Sequence, residues 1–452
     1  MNKKIKIQNI KYAPPPPGLP IYGQVNPKKV TFVGKTNYAT GLEEKRFIFG
    51  IKRSDRNKNI NIVGRSGVGK SKMLELMIRQ DIFYNYGLCL FDFDGDIVNN
   101  LLDFIPEEKI NDVVLIDFSD KKNFIAFNPF QDIDLNFKHH FVNGLIEIMK
   151  VQFGENWNWS PRLEHLFRFT VLSLLEKPDS TLKDIIFMLT DLNFRNNVIK
   201  FIQDDLVKNF WQNEFKSLSE FKNFNDEVLI PLINKISNLL SNPYLANFNQ
   251  KENKINFYDL IKENKIILIN LANQLIGKNE AAFLGSLILL KIKEAGFLRL
   301  NLGSAINDYY IYIDDFYIIN NKNFEDFLVN SKKYKFLLTL SYKQISQLDQ
   351  TIRNSILNNV GINIIFKLTN EDALIFKSEF NPVFDVKDMI NLGDQQFYIK
   401  MTIDGETYDP FSAETLKVLP PPHKSFRNKI IELSRNKYTV SADLAKKLIA
   451  EE

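Results

Sequence analysis

The sequence predicts an α/β fold, a mostly parallel central sheet with an all-helical insertion. Three observations predict it. A glycine-rich loop, "GRSGVGKS" at 64–71, stands between a strand pattern and a helix pattern. Apolar runs of strand length recur at 88–91, 113–116, 266–271, 309–313, 336–340, 362–368 and 397–401, several of them apolar on both faces. Strands buried from both sides by helices read this way. Between 139 and 252 the strand runs stop and helical periodicity replaces them, as in "RLEHLFRFTVLSLLE" at 162–176 and "EVLIPLINKISNLL" at 227–240.

Taken in order, residues 1–57 carry the stiff run "APPPPGLP" at 13–20 and short β-like pieces at 30–33 and 46–51, an N-terminal extension packed on a larger unit. Residues 58–138 form the first part of the core and 253–415 the second, on either side of the insertion. Residues 416–452 are a proline-rich linker, "LPPPHKS" at 419–425, followed by a tail helix over "SADLAKKLIAEE", which opens on a Ser cap with Asp in the first turn.

Composition narrows the classes. The 452 residues are 44% hydrophobic and 25% charged, an ordinary globular balance, and the single cysteine, Cys89, sits in an apolar run and excludes an internal disulfide. No apolar stretch approaches the roughly 18 residues of a membrane span. These readings lead to the expectation of a cytoplasmic protein. A net charge of +4 neither argues for nor excludes nucleic-acid binding.

The loop fills every fixed position of a P-loop: Gly64, four residues, Gly69, Lys70 and Ser71. Gly64, Gly67 and Gly69 let the backbone of Gly64, Arg65, Ser66, Gly67, Val68, Gly69, Lys70 and Ser71 turn its N–H groups on phosphate oxygens. Lys70 would meet the β and γ phosphates, and the Ser71 hydroxyl would sit on Mg²⁺. Ile60, Ile62 and Val63 precede the loop as a strand, and Met73, Leu74, Leu76, Met77 and Ile78 follow at helical spacing, so the phosphates would lie at a helix N-terminus. ATP and Mg²⁺ are the expected ligands.

Hydrolysis also needs carboxylates, one for the metal and one for the attacking water. "YYIYIDDF" at 309–316 ends an apolar strand in Asp314 and Asp315, while "LCLFDFDGD" at 88–96 ends another in Asp92, with Asp94 and Asp96 beyond. The first is preferred, with Asp314 on the metal and Asp315 on the water. "FLLTLSYKQISQL" at 336–348 places Ser341 and Gln344 at a third strand end, from which Gln344 would reach the γ-phosphate or the water.

In this order the motifs resemble the HerA/FtsK superfamily of RecA-like motor ATPases, nearest its branch of type IV coupling proteins for conjugative DNA transfer. The resemblance spans roughly 30–415 and rests on "FGIKRSDRNKNINIVGRSGVGKS" from 49, "DFDGDIVNNLLDFIP" from 92, "DVVLIDFSD" from 112 with "FNPF" at 127, "LINKISNLL" from 232, "YIYIDDF" from 310 and "LSYKQISQLDQTIRNSILNNVG" from 340. It departs in three places. The second acidic residue is Asp315 where the family usually has Glu, Lys72 stands where Thr is common, and the N-terminal membrane span of typical coupling proteins is missing from this sequence. The resemblance implies a hexameric ring that translocates DNA, a possible nuclease, relaxase or secretion partner, and a neighbour's arginine completing each site, with Arg353 and Arg56 as candidates. "SKKYK" at 331–335 is a candidate phosphate-contacting patch, or else a solvated charged turn. Two rival readings stand beside this one: a nucleotide-gated assembly protein with slow hydrolysis, and a protein-secretion ATPase.

Overall fold

Eleven strands form one sheet. In the computed structural model, which describes residues 10–38, 46–154, 159–246, 251, 253–319 and 321–441, they are β1 (Val30–Thr36), β2 (Ile48–Lys52), β3 (Ile60–Val63), β4 (Leu88–Asp92), β5 (Val113–Asp117), β6 (Ile266–Asn270), β7 (Tyr309–Ile313), β8 (Phe336–Tyr342), β9 (Ile362–Ile365), β10 (Gln396–Lys400) and β11 (Phe411–Thr415). The order across the sheet is β2-β1-β11-β10-β9-β3-β8-β7-β4-β6-β5. From β9 to β5 every neighbour runs parallel. The remaining pairs, at the β2 edge, are antiparallel. The N-terminal stretch is thus part of the sheet: β1 and β2 complete its edge, and β1 pairs with β11, almost 400 residues later.

Alternation within single strands shows why both faces are covered. Cys89 and Phe91 of β4 enter one core with Ile267, Ile269, Ile311 and Ile313. Leu88 and Leu90 enter the other, with Ile266, Leu268, Tyr310 and Tyr312. A strand that must bury both sets of side chains cannot show a polar face, which is why these segments read as continuous apolar runs. Helix α1 (Lys70–Phe83) covers the second face through Met73, Leu74, Met77 and Ile78, and α2 (Asp96–Phe104) through Ile97, Val98, Leu101 and Leu102.

Among the described residues no strand falls between Ile125 and Ile266. Helices occupy this stretch, from Lys138–Phe153 and Pro161–Leu174 to Ile230–Ser241 and Pro243–Ala246, with two single-turn π segments. Local chemistry sets some of these starts. Ser160 accepts a hydrogen bond from Leu163 N at 3.2 Å, and Pro161 fills the first turn, where its missing N–H costs nothing. The helix Lys278–Arg299 returns the chain to the sheet and is buried around most of its circumference. Two of its buried lysines are neutralised in place, Lys291 by Glu294 and Lys293 by Asp326.

Past the proline run, the helix Arg427–Tyr438 lies against β5, where Ser434 Oγ accepts from Leu115 N at 3.1 Å. Thr439–Ser441 then pairs antiparallel with Asn123–Ile125. Ser441, the expected cap of the tail helix, ends this strand instead, and residues 442–452 fall outside the described residues.

Candidate active site at the strand ends

The loop between β3 and α1 is shaped by its glycines. A Cβ on Gly64 would stand 2.6 Å from Phe366 Cβ, closer than packed atoms allow, because the exit of β9 presses on the loop. Gly67 takes φ +80°, a left-handed conformation that costs other residues roughly 1–2 kcal/mol. Neighbouring strand ends hold the rest: Gly64 N donates to Tyr342 O, Arg65 N to Lys367 O, and Gln395 N to Val68 O. Arg65, Ser66 and Gly67 remain exposed at the rim, while Val68 anchors the loop in the core.

Lys70 opens α1, and its Nζ lies 2.6 Å from Gly64 O and 2.9 Å from Arg65 O. Burial lowers its pKa, and the charges of Asp314 and Asp315 oppose that shift. The ammonium is therefore held at the loop by carbonyls, and the charges of two carboxylates across the site favour it there, a place where phosphate oxygens can replace the carbonyls by a local rotation.

Ser71 Oγ donates to Asp314 Oδ2 at 2.9 Å. This bond joins the start of α1 to the end of β7, two strands from β3 with β8 between them. Asp315 follows at φ +50°, in the left-handed region that short carboxylate and amide side chains tolerate best. Burial pushes its carboxyl up to about 6, the neighbouring Asp314 charge adds to the shift, and Lys343 opposes it.

Lys343, the residue just before Gln344, enters the site although no motif assigns it a role. Its Nζ lies 3.4 Å from Asp315 Oδ2, and the ammonium also stands 5.7 Å from the Tyr317 ring. A cation at the C-terminal end of an apolar strand was the available signal, without any indication of which strand lies beside it. Gln344 itself bonds Gln347 at 2.7 Å and makes no hydrogen bond to Lys70, Ser71 or the acidic pair. Arg353 turns back on the residues before its own helix, 3.5 Å from Leu348 O, and is likewise not joined to them.

Two other candidates have structural work. Asp92 closes the turn into α2, its two oxygens accepting from Gly95 N and Val98 N at 2.8 Å each, and burial raises its pKa to about 6. Asp94 is exposed and accepts from Asn273 at 3.1 Å, while Asp96 is exposed in the first turn of α2. Arg56, a candidate to reach a neighbouring copy as a surface arginine, is 1% exposed. It bonds both oxygens of Asp81 at 3.0 Å and Tyr312 Oη at 2.7 Å, so it cannot reach another subunit.

Among the described residues no cluster of three or more His, Cys, Asp or Glu is arranged to cage a metal. The donors Ser71 and Asp314 suit a different mode, in which Mg²⁺ keeps waters and takes the rest of its shell from substrate phosphates.

Comparison with solved structures identifies the fold. The conjugative coupling protein TrwB, in its unbound form, superposes with a TM-score of 0.60 over 83% of this chain and 89% of its own, at 11% sequence identity. The fold is that of a conjugative coupling protein. TrwB in complex with ADP and Mg²⁺ matches with a TM-score of 0.60 at 12% identity, over 83% of this chain and 90% of that one. VirB4 of Thermoanaerobacter pseudethanolicus matches with a TM-score of 0.55 at 10% identity, over 80% of this chain and 89% of that one. No family model and no curated protein matches the sequence. No helix among the described residues is long and apolar enough to cross a membrane.

Proposed function

We propose that this protein is a cytoplasmic, Mg²⁺-dependent ATPase that works as a hexameric ring and translocates DNA, in the manner its coupling-protein fold suggests. The observation that carries the ATPase part is the 2.9 Å bond between Ser71 and Asp314, beside a buried Asp315 and a buried Lys70. Backbone N–H groups of the loop and the start of α1 receive the phosphates, and Lys70 pairs with the β and γ oxygens. Ser71 and Asp314 would hold Mg²⁺, which when bound would supply charge neutralisation on the phosphates. Asp315 accepts the proton of the attacking water, a task to which a carboxyl raised to about 6 is better matched than an ordinary one. Lys343 opposes the rise that burial and Asp314 impose and so favours the ionised form of Asp315.

TrwB, which matches in complexes with ADP and Mg²⁺ and with a non-hydrolysable ATP analogue, supports the nucleotide part of this reading. DNA, the ring and an arginine acting across its interface, with Arg353 as the candidate, come from resemblance. The division into a sheet core and a helical unit at 139–252 rests on the change from strand runs to helical periodicity in the sequence. The slow-hydrolysis reading keeps a foothold in the short, lysine-paired Asp315. One experiment separates them: ATPase rate with and without single- and double-stranded DNA, on protein whose mass in solution is measured in the same sample. DNA-stimulated turnover by a hexamer is expected. Turnover near zero with saturating DNA favours the assembly reading, and brisk turnover indifferent to DNA favours secretion.

A further inference from the structure

The strands that build the nucleotide site have a second end. Asn59 leads into β3, the turn Ser331 to Lys335 into β8, and Gly361 into β9. These three entries surround a pocket of about 320 Å³ on the edge of the sheet opposite the P-loop. Its walls are fixed by hydrogen bonds between the entries. Asn59 donates to Ser331 Oγ at 3.2 Å and accepts from Leu338 N at 2.9 Å, and Gly361 N donates to Lys58 O at 2.7 Å. Asn59 is buried with φ +60°, so this geometry is held by the fold.

The lining carries Lys58 and Lys332, the amides of Asn57 and Asn358, and neither a carboxylate nor an aromatic ring. Among the described residues the side chains of these four make no hydrogen bond or ion pair. Acidic side chains adjoining the lining segments are engaged elsewhere: Asp55 accepts from Asp404 N and Gly405 N, Asp404 from Lys52, and Glu406 from Tyr408. Two cations and two free amides lining one pocket, Lys58 half-buried and the other three exposed, select an anion with further hydrogen-bonding groups. A cavity of this volume is at the small-molecule end of binding sites. With no ring to stack a base, the ligand is held by phosphate and sugar, whatever its base.

We infer that this pocket is a second phosphate site, which takes a phosphate ester through Lys58 and Lys332. It does not depend on the chemistry proposed at the P-loop. Where the ester is a link of a polynucleotide, it extends the DNA reading, because β3, β8 and β9 connect the pocket to the P-loop across roughly 13–23 Å of strand.

The test uses the full chain with ADP and Mg²⁺ saturating the P-loop. Fluorescence anisotropy with a labelled oligothymidylate, over a salt series, is compared with calorimetry using ribose 5-phosphate. The double variant Lys58→Glu, Lys332→Glu is expected to weaken whichever probe the wild type binds by at least about tenfold. For the oligonucleotide it should also flatten the slope of log affinity against log salt by about 1.4, two contacts at roughly 0.7 each. ATPase without nucleic acid should be unchanged. Ribose 5-phosphate binding without oligonucleotide binding keeps the site and removes the DNA reading. Oligonucleotide binding that the variant leaves intact overturns the site and leaves the DNA reading standing. Binding of neither probe to the wild type overturns the site as well. A milder pair, Lys58→Gln with Lys332→Gln, covers the case in which charge reversal unfolds the protein, and equal affinity there also overturns the inference.

Discussion

Lys343 Nζ stands 3.4 Å from Asp315 Oδ2, so the carboxylate beside the P-loop shares the site with a second lysine as well as Lys70. Burial and Asp314 raise the Asp315 pKa to about 6, and Lys343 pulls against them. The sign of the pH dependence follows. A general base works ionised, so kcat/KM should fall about tenfold per pH unit below about 6. Lys343→Met removes the opposing cation and should move that acid limb to higher pH, with turnover at pH 8 within a few-fold of wild type. Lys343→Arg should restore it. A variant that lowers the melting temperature while leaving the limb in place would assign Lys343 a structural role only.

Lys70→Ala should abolish productive ATP binding, since the ammonium it removes is the one placed at the loop's mouth between Gly64 O and Arg65 O. Calorimetric titration with the ATP analogue checks this, and unchanged affinity would refute it.

Asp314 and Asp92 are separable by their partners. Asp314→Asn keeps an acceptor for Ser71 but removes the charge a metal needs, so the Mg²⁺ concentration for half-maximal ATPase should rise at least tenfold. Asp92→Asn should leave the Mg²⁺ requirement alone. It leaves Gly95 N or Val98 N short of an acceptor, at a cost to folding stability of about 0.5–2 kcal/mol. The reverse pattern would move the metal to β4.

Asp81 is fully buried and serves Arg53 at 2.5 Å, Arg56 at 3.0 Å and Tyr312 Oη at 2.5 Å. It ties α1 to β7 two residues before Asp314. Asp81→Asn strands two buried cations, and removing one partner of such a set costs about 3–5 kcal/mol. Urea unfolding should show that loss. A loss under 1 kcal/mol would mean water reaches the pair.

The parts of this site that sequence exposes are those whose signal is local. Gly64 to Ser71 carry their own spacing, and β4, β6 and β7 announce burial on both faces by their residue types. Strand adjacency has no such signature. That β8 lies beside β7, which is what sets Lys343 against Asp315, follows from a pairing of segments whose order no periodicity encodes. The antiparallel edge hides for the same reason, since β1 meets β11 across most of the chain. Arg56 reads as a surface residue beside Asn57 and Lys58, and only the arrival of Asp81 and Tyr312 from other elements makes its burial tolerable.

Asp315 offers the sharpest test because its backbone limits what can replace it. At φ +50° asparagine is accepted about as well as aspartate, so Asp315→Asn isolates the charge from the conformation. It should keep ATP binding and lower turnover by roughly 10²–10⁴, the usual worth of general-base catalysis. Asp315→Glu regains one methylene of reach and loses roughly 1–2 kcal/mol to left-handed strain. Its turnover should stay within about tenfold of wild type while its melting temperature falls. The two variants are read together in single-turnover assays and thermal unfolding. A Glu variant that is stable but inactive, beside an Asn variant with normal turnover, would show that Asp315 only shapes the turn after β7. The proton of the attacking water would then go elsewhere, and Asp94, whose charge is felt at both Asp315 and Lys343, is the next carboxylate to test.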